Sequence, residues 1–161
     1  MNKRVKFFAE QVLIIFNIFI AFLLLFENKL EIPAWLQPVG RMHPLLLHFP
    51  IVLLLLAIAL QWYGTASRRQ ASNLFHTFSQ SLLLSGALLS AVTVVMGLFL
   101  SREEGYSGDT LQWHKWTGAG IFFLASIIYW AANKSWYKGI VTKAAGAVVV
   151  VSLILTGHFG A

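Results

Sequence analysis

Residues 43–60, HPLLLHFPIVLLLLAIAL, place two histidines and two prolines at the start of a long apolar run. From Ile51 onwards this run carries no charged residue. A helix needs about 20 predominantly apolar residues to cross a bilayer. The stretch therefore predicts a membrane-spanning helix with imidazoles close to one of its ends.

The composition of the whole chain is that of a membrane protein. Of its 161 residues, 58% are hydrophobic and 11% are charged, and the mean hydropathy is +0.71. A chain of this size cannot bury so much apolar surface behind a water-facing exterior. Cysteine is absent, which excludes disulfides, thiolate metal sites and covalent c-type haem attachment within this chain. No nucleophile–base–carboxylate set is present, so hydrolase chemistry has no support.

Apolar runs of spanning length predict five helices, at about residues 7–26, 44–63, 76–100, 114–132 and 139–158. The first run follows the basic segment MNKRVK, but it is too long for the apolar part of a signal peptide and lacks a small-residue cleavage site. Residues 1–30 therefore predict a retained signal-anchor helix. Residues 43–161 predict an up-down bundle of four helices. The expected fold class is an all-α membrane protein.

The distribution of charge predicts the orientation. If the N terminus is cytoplasmic, the cytoplasmic segments hold eight Lys or Arg residues against Glu10 alone. The opposite segments then hold four Lys or Arg residues against five Asp or Glu. Lys and Arg are retained on the cytoplasmic side, so the N terminus is predicted inside and the C terminus outside. The basic pI of about 9.9 then reflects membrane topology and predicts no nucleic-acid partner.

This topology brings four of the five histidines to the outer ends of different helices. They are His43 and His48 at the second predicted helix, His114 at the fourth and His158 at the fifth. An imidazole below the membrane interface is costly unless it is paired or liganded, and neutral imidazole binds iron or zinc well. The four histidines therefore predict one cluster. His76 lies alone at the cytoplasmic side, where a structural role is expected.

Haem b fits these four histidines, because it needs one imidazole from each of two facing helices. His48 and His114 are the predicted axial ligands of the haem iron, since the second and fourth helices are diagonal in an up-down bundle. Pro50 predicts a kink just below His48 that would make room for the ring. His158 is the reserve ligand, and His43 is a further candidate that a helix cap explains equally well.

Other residues near the outer ends complete the predicted site. Arg41 and Lys115 are expected to approach the haem propionates, and Trp116 is expected to form a wall. Four outer histidines suffice for one haem or for two. A structural hydrogen-bond cluster and a zinc or copper site at the same histidines remain as alternatives. A zinc or copper site would want Glu103, Glu104 or Asp109 as a hard ligand, but their segment, SREEGYSGDTLQW, is more typical of a solvated turn.

Three motifs resemble those of an uncharacterised bacterial membrane family: HPLLLHFPI at residues 43–51, HKWTG at 114–118 and TGHFGA at 156–161. That family opens with HP-x-x-x-HFPI and closes with GHxGG, and the resemblance covers residues 43–161. Its members are often fused to, or encoded beside, c-type cytochromes, notably planctomycete-type cytochrome proteins, and others accompany Rieske iron–sulfur domains. The resemblance implies that His43, His48, His114 and His158 are motif residues and that the chain takes part in respiratory electron transfer.

We therefore expect a b-type cytochrome-like subunit of the bacterial inner membrane that passes electrons between quinol and a periplasmic c-type cytochrome. It would work within a respiratory complex rather than as a stand-alone enzyme. Its expected partners are lipid and other respiratory subunits, and quinone binding to this chain is left open. The alternatives are a cofactor-free membrane anchor for a cytochrome or Rieske partner, and a copper- or zinc-binding membrane protein.

A topology reporter tests the orientation on which the histidine cluster depends. A reporter that is active only in the cytoplasm should work when fused after Lys138 and should fail when inserted after Ser107, because the charge bias places these sites on opposite sides. Reporter activity is measured in whole cells with matched expression. The reverse pattern would contradict the one-sided cluster.

Overall fold

The computed structural model of the chain describes residues 2–29, 31–66 and 69–160. Met1, Leu30 and Ala161, which bound the two predicted segments, lie outside the described residues. The α-helices are α1 Lys3–Leu25, α2 Gln37–Arg41, α3 His43–Leu46, α4 His48–Ala66, α5 Arg69–Leu100, α6 Asp109–Ala131 and α7 Ile140–Phe159. Short 3-10 turns cover Glu27–Lys29 and Ala34–Leu36. The described part of the chain contains no strand, which confirms the all-α prediction.

Within the described residues, three helices are long and apolar enough to cross a membrane: α1, the Asn73–Leu100 part of α5, and α7. A fourth span results if Ala34–Leu46 and His48–Gly64, which meet at 41°, cross together as one bent unit. α6 has 23 residues and is also long enough. Its first turns hold Gln112, His114 and Lys115, so it is less apolar than these helices and is not a candidate span by composition. The structure thus supports a membrane protein with three to four candidate spans, and the count of five and the orientation stay predictions.

The predicted kink is present at Leu47, the residue before His48, and not below His48. Pro50 has no N–H to donate to the carbonyl of Leu46, so the series of backbone hydrogen bonds along the helix is interrupted at Leu46. Pro44 lies in the first turn of α3, where a missing N–H costs nothing. His43 and His48 consequently belong to two different helices, α3 and α4.

The last four long helices form a ring. α4 packs against α5, α5 against α6, α6 against α7, and α7 returns to α4, so α4 and α6 are diagonal. Leu54, Leu84, Phe122 and Val149 are buried in this bundle, one from each helix. α4 and α7 approach closely at Gly146, where an added Cβ would lie 2.8 Å from Ile58 Cγ2 and 2.6 Å from Trp62 Nε1.

α1 packs against α5 and α6 and belongs to the same core. Leu13 and Ile20 of α1 are fully buried. Polar contacts connect α1 and the turn after it to α6 at three levels. Tyr129 Oη donates to Glu10 Oε1 at 2.6 Å, Asn17 Nδ2 donates to Ser126 Oγ at 3.2 Å, and Lys115 Nζ donates to Glu27 Oε2 at 2.6 Å. In hydrocarbon such groups need partners inside the protein, and α1 and the turn after it supply them.

Gly146→Ala tests the close approach of α4 and α7. The added methyl group has no space beside Trp62, so we expect a loss of about 1–3 kcal/mol in the free energy of unfolding. Gly120→Ala is the matched control, because an added Cβ meets nothing within 4 Å there and alanine favours a helix by up to about 1 kcal/mol. Thermal unfolding in detergent measures both. Equal melting temperatures for the two variants would contradict the packing described.

Candidate functional site

His43 is held against α5 at the end of the bundle where α5 ends and α6 begins, which we call the outer end after the orientation that the charge bias predicts. Its Nδ1 lies 2.7 Å from the carbonyl oxygen of Thr93. Its ring lies beside Gly97, where an added Cβ would be 3.1 Å from His43 Cε1. This approach is possible because Gly40 of α2 lies against the α5 backbone, with its own added Cβ 2.9 Å from Leu100 N. The segment α2–α3 therefore reaches α5 closely enough to place His43 in the bundle.

His114 is held against α7 in the same way. Its Nδ1 lies 2.9 Å from the carbonyl oxygen of Thr156, which also accepts the backbone N–H of Gly160 at 3.1 Å. An added Cβ at Gly160 would be 2.6 Å from His114 Cε1. α6 begins just after Gly108, whose φ of 117° suits glycine, and this start puts His114 in the second turn.

His43 and His114, which we call the imidazole pair, lie side by side. Their ring centroids are 6.1 Å apart and their planes are at 89°. A carbonyl oxygen only accepts, so Nδ1 carries the proton in each neutral ring and Nε2 carries a lone pair. Metal-binding histidines are commonly oriented by such a bond from the other ring nitrogen. The pair thus has two Nε2 atoms available to a metal or to a hydrogen-bond donor.

A cavity of about 190 Å³, which we call the outer cavity, lies beside the imidazole pair. α4, α5, α6 and α7 all line it, for example through Leu54, Thr93, Ile121 and Leu153. A smaller cavity of about 40 Å³ between α5 and α6 shares both histidines of the pair. The imidazoles therefore separate two spaces inside the bundle.

The other predicted ligands lie elsewhere. His48 begins α4 with an exposed side chain and does not line the outer cavity. The cavity is lined by Leu47, just before α4, and by Pro50, Ile51 and Leu54 of α4, which leaves His48 on another side of the helix. His158 is also exposed, next to Phe159. The structure brings His43, not His48, to His114.

His76 has an exposed side chain and a hydrogen bond of its own. Its Nε2 lies 3.2 Å from the carbonyl oxygen of Ala132. Ala132 follows the last residue of α6, at the opposite end of that helix from His114. This contact joins α5 to the end of α6. The structural role expected for His76 stays a prediction.

The predicted propionate partners are paired with carboxylates of this chain. Arg41 Nη2 lies 2.9 Å from Glu103 Oε2, and Lys115 Nζ lies 2.6 Å from Glu27 Oε2. The Lys115 side chain is 8% exposed, so this ion pair is nearly buried. Trp116 is 51% exposed and lies beside Lys115, with Nζ 5.5 Å from its ring, instead of lining the outer cavity.

Sequence reasoning missed the backbone partners of the imidazoles. Thr93 with Gly97 on α5, and Thr156 of α7 with Gly160 just after it, form two Thr-x-x-x-Gly pairs at the imidazoles. The same spacing occurs a third time, at residues 142 and 146 near the other end of α7. In each pair at the imidazoles the threonine carbonyl accepts a hydrogen bond from the imidazole, and the glycine leaves room for the imidazole ring. The repeated spacing is visible in the sequence, and its occurrence near both outer helix ends is the signal that could have identified these positions.

Among the described residues, no group of three or more His, Cys, Asp or Glu side chains could hold a metal ion. A metal bound at the imidazole pair would therefore take two ligands from this part of the chain.

The comparison with protein families assigns the chain. Residues 41–161 match the family described as predicted membrane protein (DUF2231). The chain belongs to this family. The matched residues include His43, His114 and the two Thr-x-x-x-Gly pairs at the imidazoles, whereas α1 precedes them. No curated protein and no solved structure matches this DUF2231 chain.

Gly160→Ala tests the support of His114. The new methyl group would overlap the ring, so we expect the bond from Nδ1 to Thr156 to break while the bond from His43 to Thr93 stays. Gly157→Ala is the control, because an added Cβ there meets nothing within 4 Å. NMR of protein labelled with ¹⁵N-histidine reports each Nδ1–H. An unchanged His114 signal in Gly160→Ala would contradict this geometry.

Proposed function

We propose that the chain is an electron-transfer subunit of the bacterial inner membrane, passing electrons between quinol and a periplasmic c-type cytochrome within a respiratory complex. The supporting observation is the imidazole pair, in which both Nδ1 atoms bond to helix carbonyls and both Nε2 atoms are left for a ligand. The cytochrome or Rieske partner rests on the sequence resemblance described above. The charge bias supports a cytoplasmic N terminus and a periplasmic imidazole pair.

We include α6 as a fifth membrane-crossing helix in this proposal. Its 23 residues extend about 34 Å at 1.5 Å per residue, against roughly 30 Å for the hydrocarbon core. α6 packs against α1, α5 and α7, which bury one side of it, including Phe122, Ser126 and Tyr129. Its most polar turn is neutralised where Lys115 meets Glu27. Burial inside the bundle explains why a crossing helix has moderate hydropathy.

The number of ligands that the protein supplies supports haem b at the imidazole pair. Haem supplies four ligands from its own ring and needs two from the protein, whereas zinc sites take three or four protein ligands. An imidazole nitrogen binds a metal at about 2.0–2.1 Å and lies roughly 1.1 Å from its ring centroid, so two axial rings are about 6 Å apart. The observed separation of 6.1 Å agrees with this spacing. The proposed axial ligands therefore change from His48 and His114 to His43 and His114.

The volume of the outer cavity does not support haem. An apolar cavity of about 150 Å³ holds one benzene ring. The outer cavity, at about 190 Å³, has room for one substituted six-membered ring and not for a macrocycle of four pyrroles. The separation of the two rings fits haem and the space does not, so haem b stays a prediction. A copper site or a cofactor-free anchor would use the same bundle without a macrocycle.

Substitution of single histidines tests the proposed function. His43→Ala or His114→Ala should lower quinol-dependent reduction of the c-type cytochrome at least tenfold in membranes, because each removes one Nε2. Any low-spin haem band in the reduced-minus-oxidised spectrum should disappear with them. His48→Ala, His158→Ala and His76→Asn should leave both signals unchanged, since these side chains do not line the outer cavity.

Two outcomes would contradict the proposal. Loss of activity in His48→Ala with full activity in His43→Ala would move the site to the exposed histidine. Membranes that carry the protein and its partner cytochrome, but reduce that cytochrome no faster than membranes lacking the protein, would refute electron transfer. An absent Soret band with retained activity would remove haem b alone.

A further inference from the structure

We propose that the outer cavity binds the head-group of a benzoquinol, which enters from the lipid between the outer ends of α4 and α7. This inference rests on the proposed function and names the site at which its electron donor binds. It assigns the imidazole pair to hydrogen bonding with a single-ring ligand. A haem at the same pair would occupy the same space, so the two occupants exclude each other.

The size of the outer cavity selects a single ring. Its volume of about 190 Å³ exceeds the roughly 150 Å³ that accommodates benzene by about one or two substituent groups. A benzoquinol with small substituents has this size. A naphthoquinol carries a second fused ring and exceeds it. The cavity thus distinguishes between the two main classes of membrane quinol.

The walls of the outer cavity select a lipid-soluble ligand. Pro50, Ile51 and Leu54 of α4 face Leu153 of α7 across it. α4 and α7 are in close contact at Gly146, nearer to their inner ends, and the cavity separates them further out. An added Cβ at Gly157 would meet nothing within 4 Å, so this part of α7 borders open space. A molecule that diffuses in the bilayer can enter between these two helices.

The polar groups at the outer end select the reduced form of the ligand. Nε2 of each imidazole accepts a hydrogen bond, because Nδ1 of each ring already donates to a helix carbonyl. A quinol hydroxyl donates such a bond, and a quinone carbonyl cannot. Thr156 also lines the cavity, and its buried Oγ1 has no hydrogen-bond partner. Rotation about its Cα–Cβ bond would direct this hydroxyl to the ligand's oxygen.

Binding to the full chain in lipid nanodiscs tests this inference. The probes are a ubiquinol with one isoprenoid unit, the corresponding ubiquinone, and a menaquinol of equal tail length, titrated without oxygen by calorimetry. We expect the ubiquinol to bind about tenfold more tightly than the ubiquinone, since the quinone leaves Nε2 without a donor. We expect the menaquinol to bind at least tenfold more weakly than the ubiquinol.

Two glycine variants provide the matched comparison. Gly157→Leu places a side chain in the outer cavity and should weaken ubiquinol binding at least tenfold. Gly120→Leu is the control, because Gly120 also borders open space but does not line the cavity, and it should bind as the wild type does. Thr156→Val, which keeps the shape and removes the hydroxyl, should weaken binding about fivefold. Equal melting temperatures establish that the variants fold.

The outcomes separate this inference from the proposed function. Equal ubiquinol binding by Gly157→Leu and the wild type, tighter binding of the menaquinol, or one haem per chain in the purified protein would each overturn the inference. Quinol-dependent cytochrome reduction could survive all three results. Conversely, ubiquinol binding that Gly157→Leu abolishes, without any cytochrome reduction, would support the inference and refute the proposed function.

Discussion

Two hydrogen bonds from imidazole nitrogens to helix carbonyls determine the outer end of this bundle. A carbonyl inside a helix accepts one backbone N–H and keeps a second lone pair, and Thr156 uses both, for Gly160 and for His114. Where water is excluded, an unpaired imidazole N–H costs several times what it costs at a surface. These bonds therefore fix both rings, and ring orientation, glycine placement and the position of the outer cavity all follow from them.

The sequence could predict at which end of the bundle the histidines lie, but it could not predict which of them come into contact. Charge bias and span lengths place four histidines near one side, and the structure brings two of them, His43 and His114, together. α4 is apolar almost all the way round, so its sequence has no periodicity that would show which face turns inward. The break at Leu47 then gives His43 and His48 different helices, and the side predicted for His48 could not be derived from spacing alone.

The charged residues show a second limit of sequence reasoning. Arg41 and Glu103 are 62 residues apart, and Lys115 and Glu27 are 88 apart, so their pairing depends on the lateral order of helices. A cation near a presumed cofactor is readily assigned to it when its own carboxylate partner is remote in sequence. The Lys115 pair also shows that the turn after α1, which precedes the family match, contributes to the surroundings of His114.

A tilt of α7 relative to α4 would turn around the close contact at Gly146. Ten residues separate Gly146 from Thr156, which is about 15 Å along a helix axis. A rigid tilt of about 10° around this fulcrum would displace Thr156 by about 2.6 Å while the inner contact with Ile58 hardly moves. Side-chain packing at Gly146 therefore limits how far the other end of α7 can move away from α4, although Gly146 is remote from the imidazole pair.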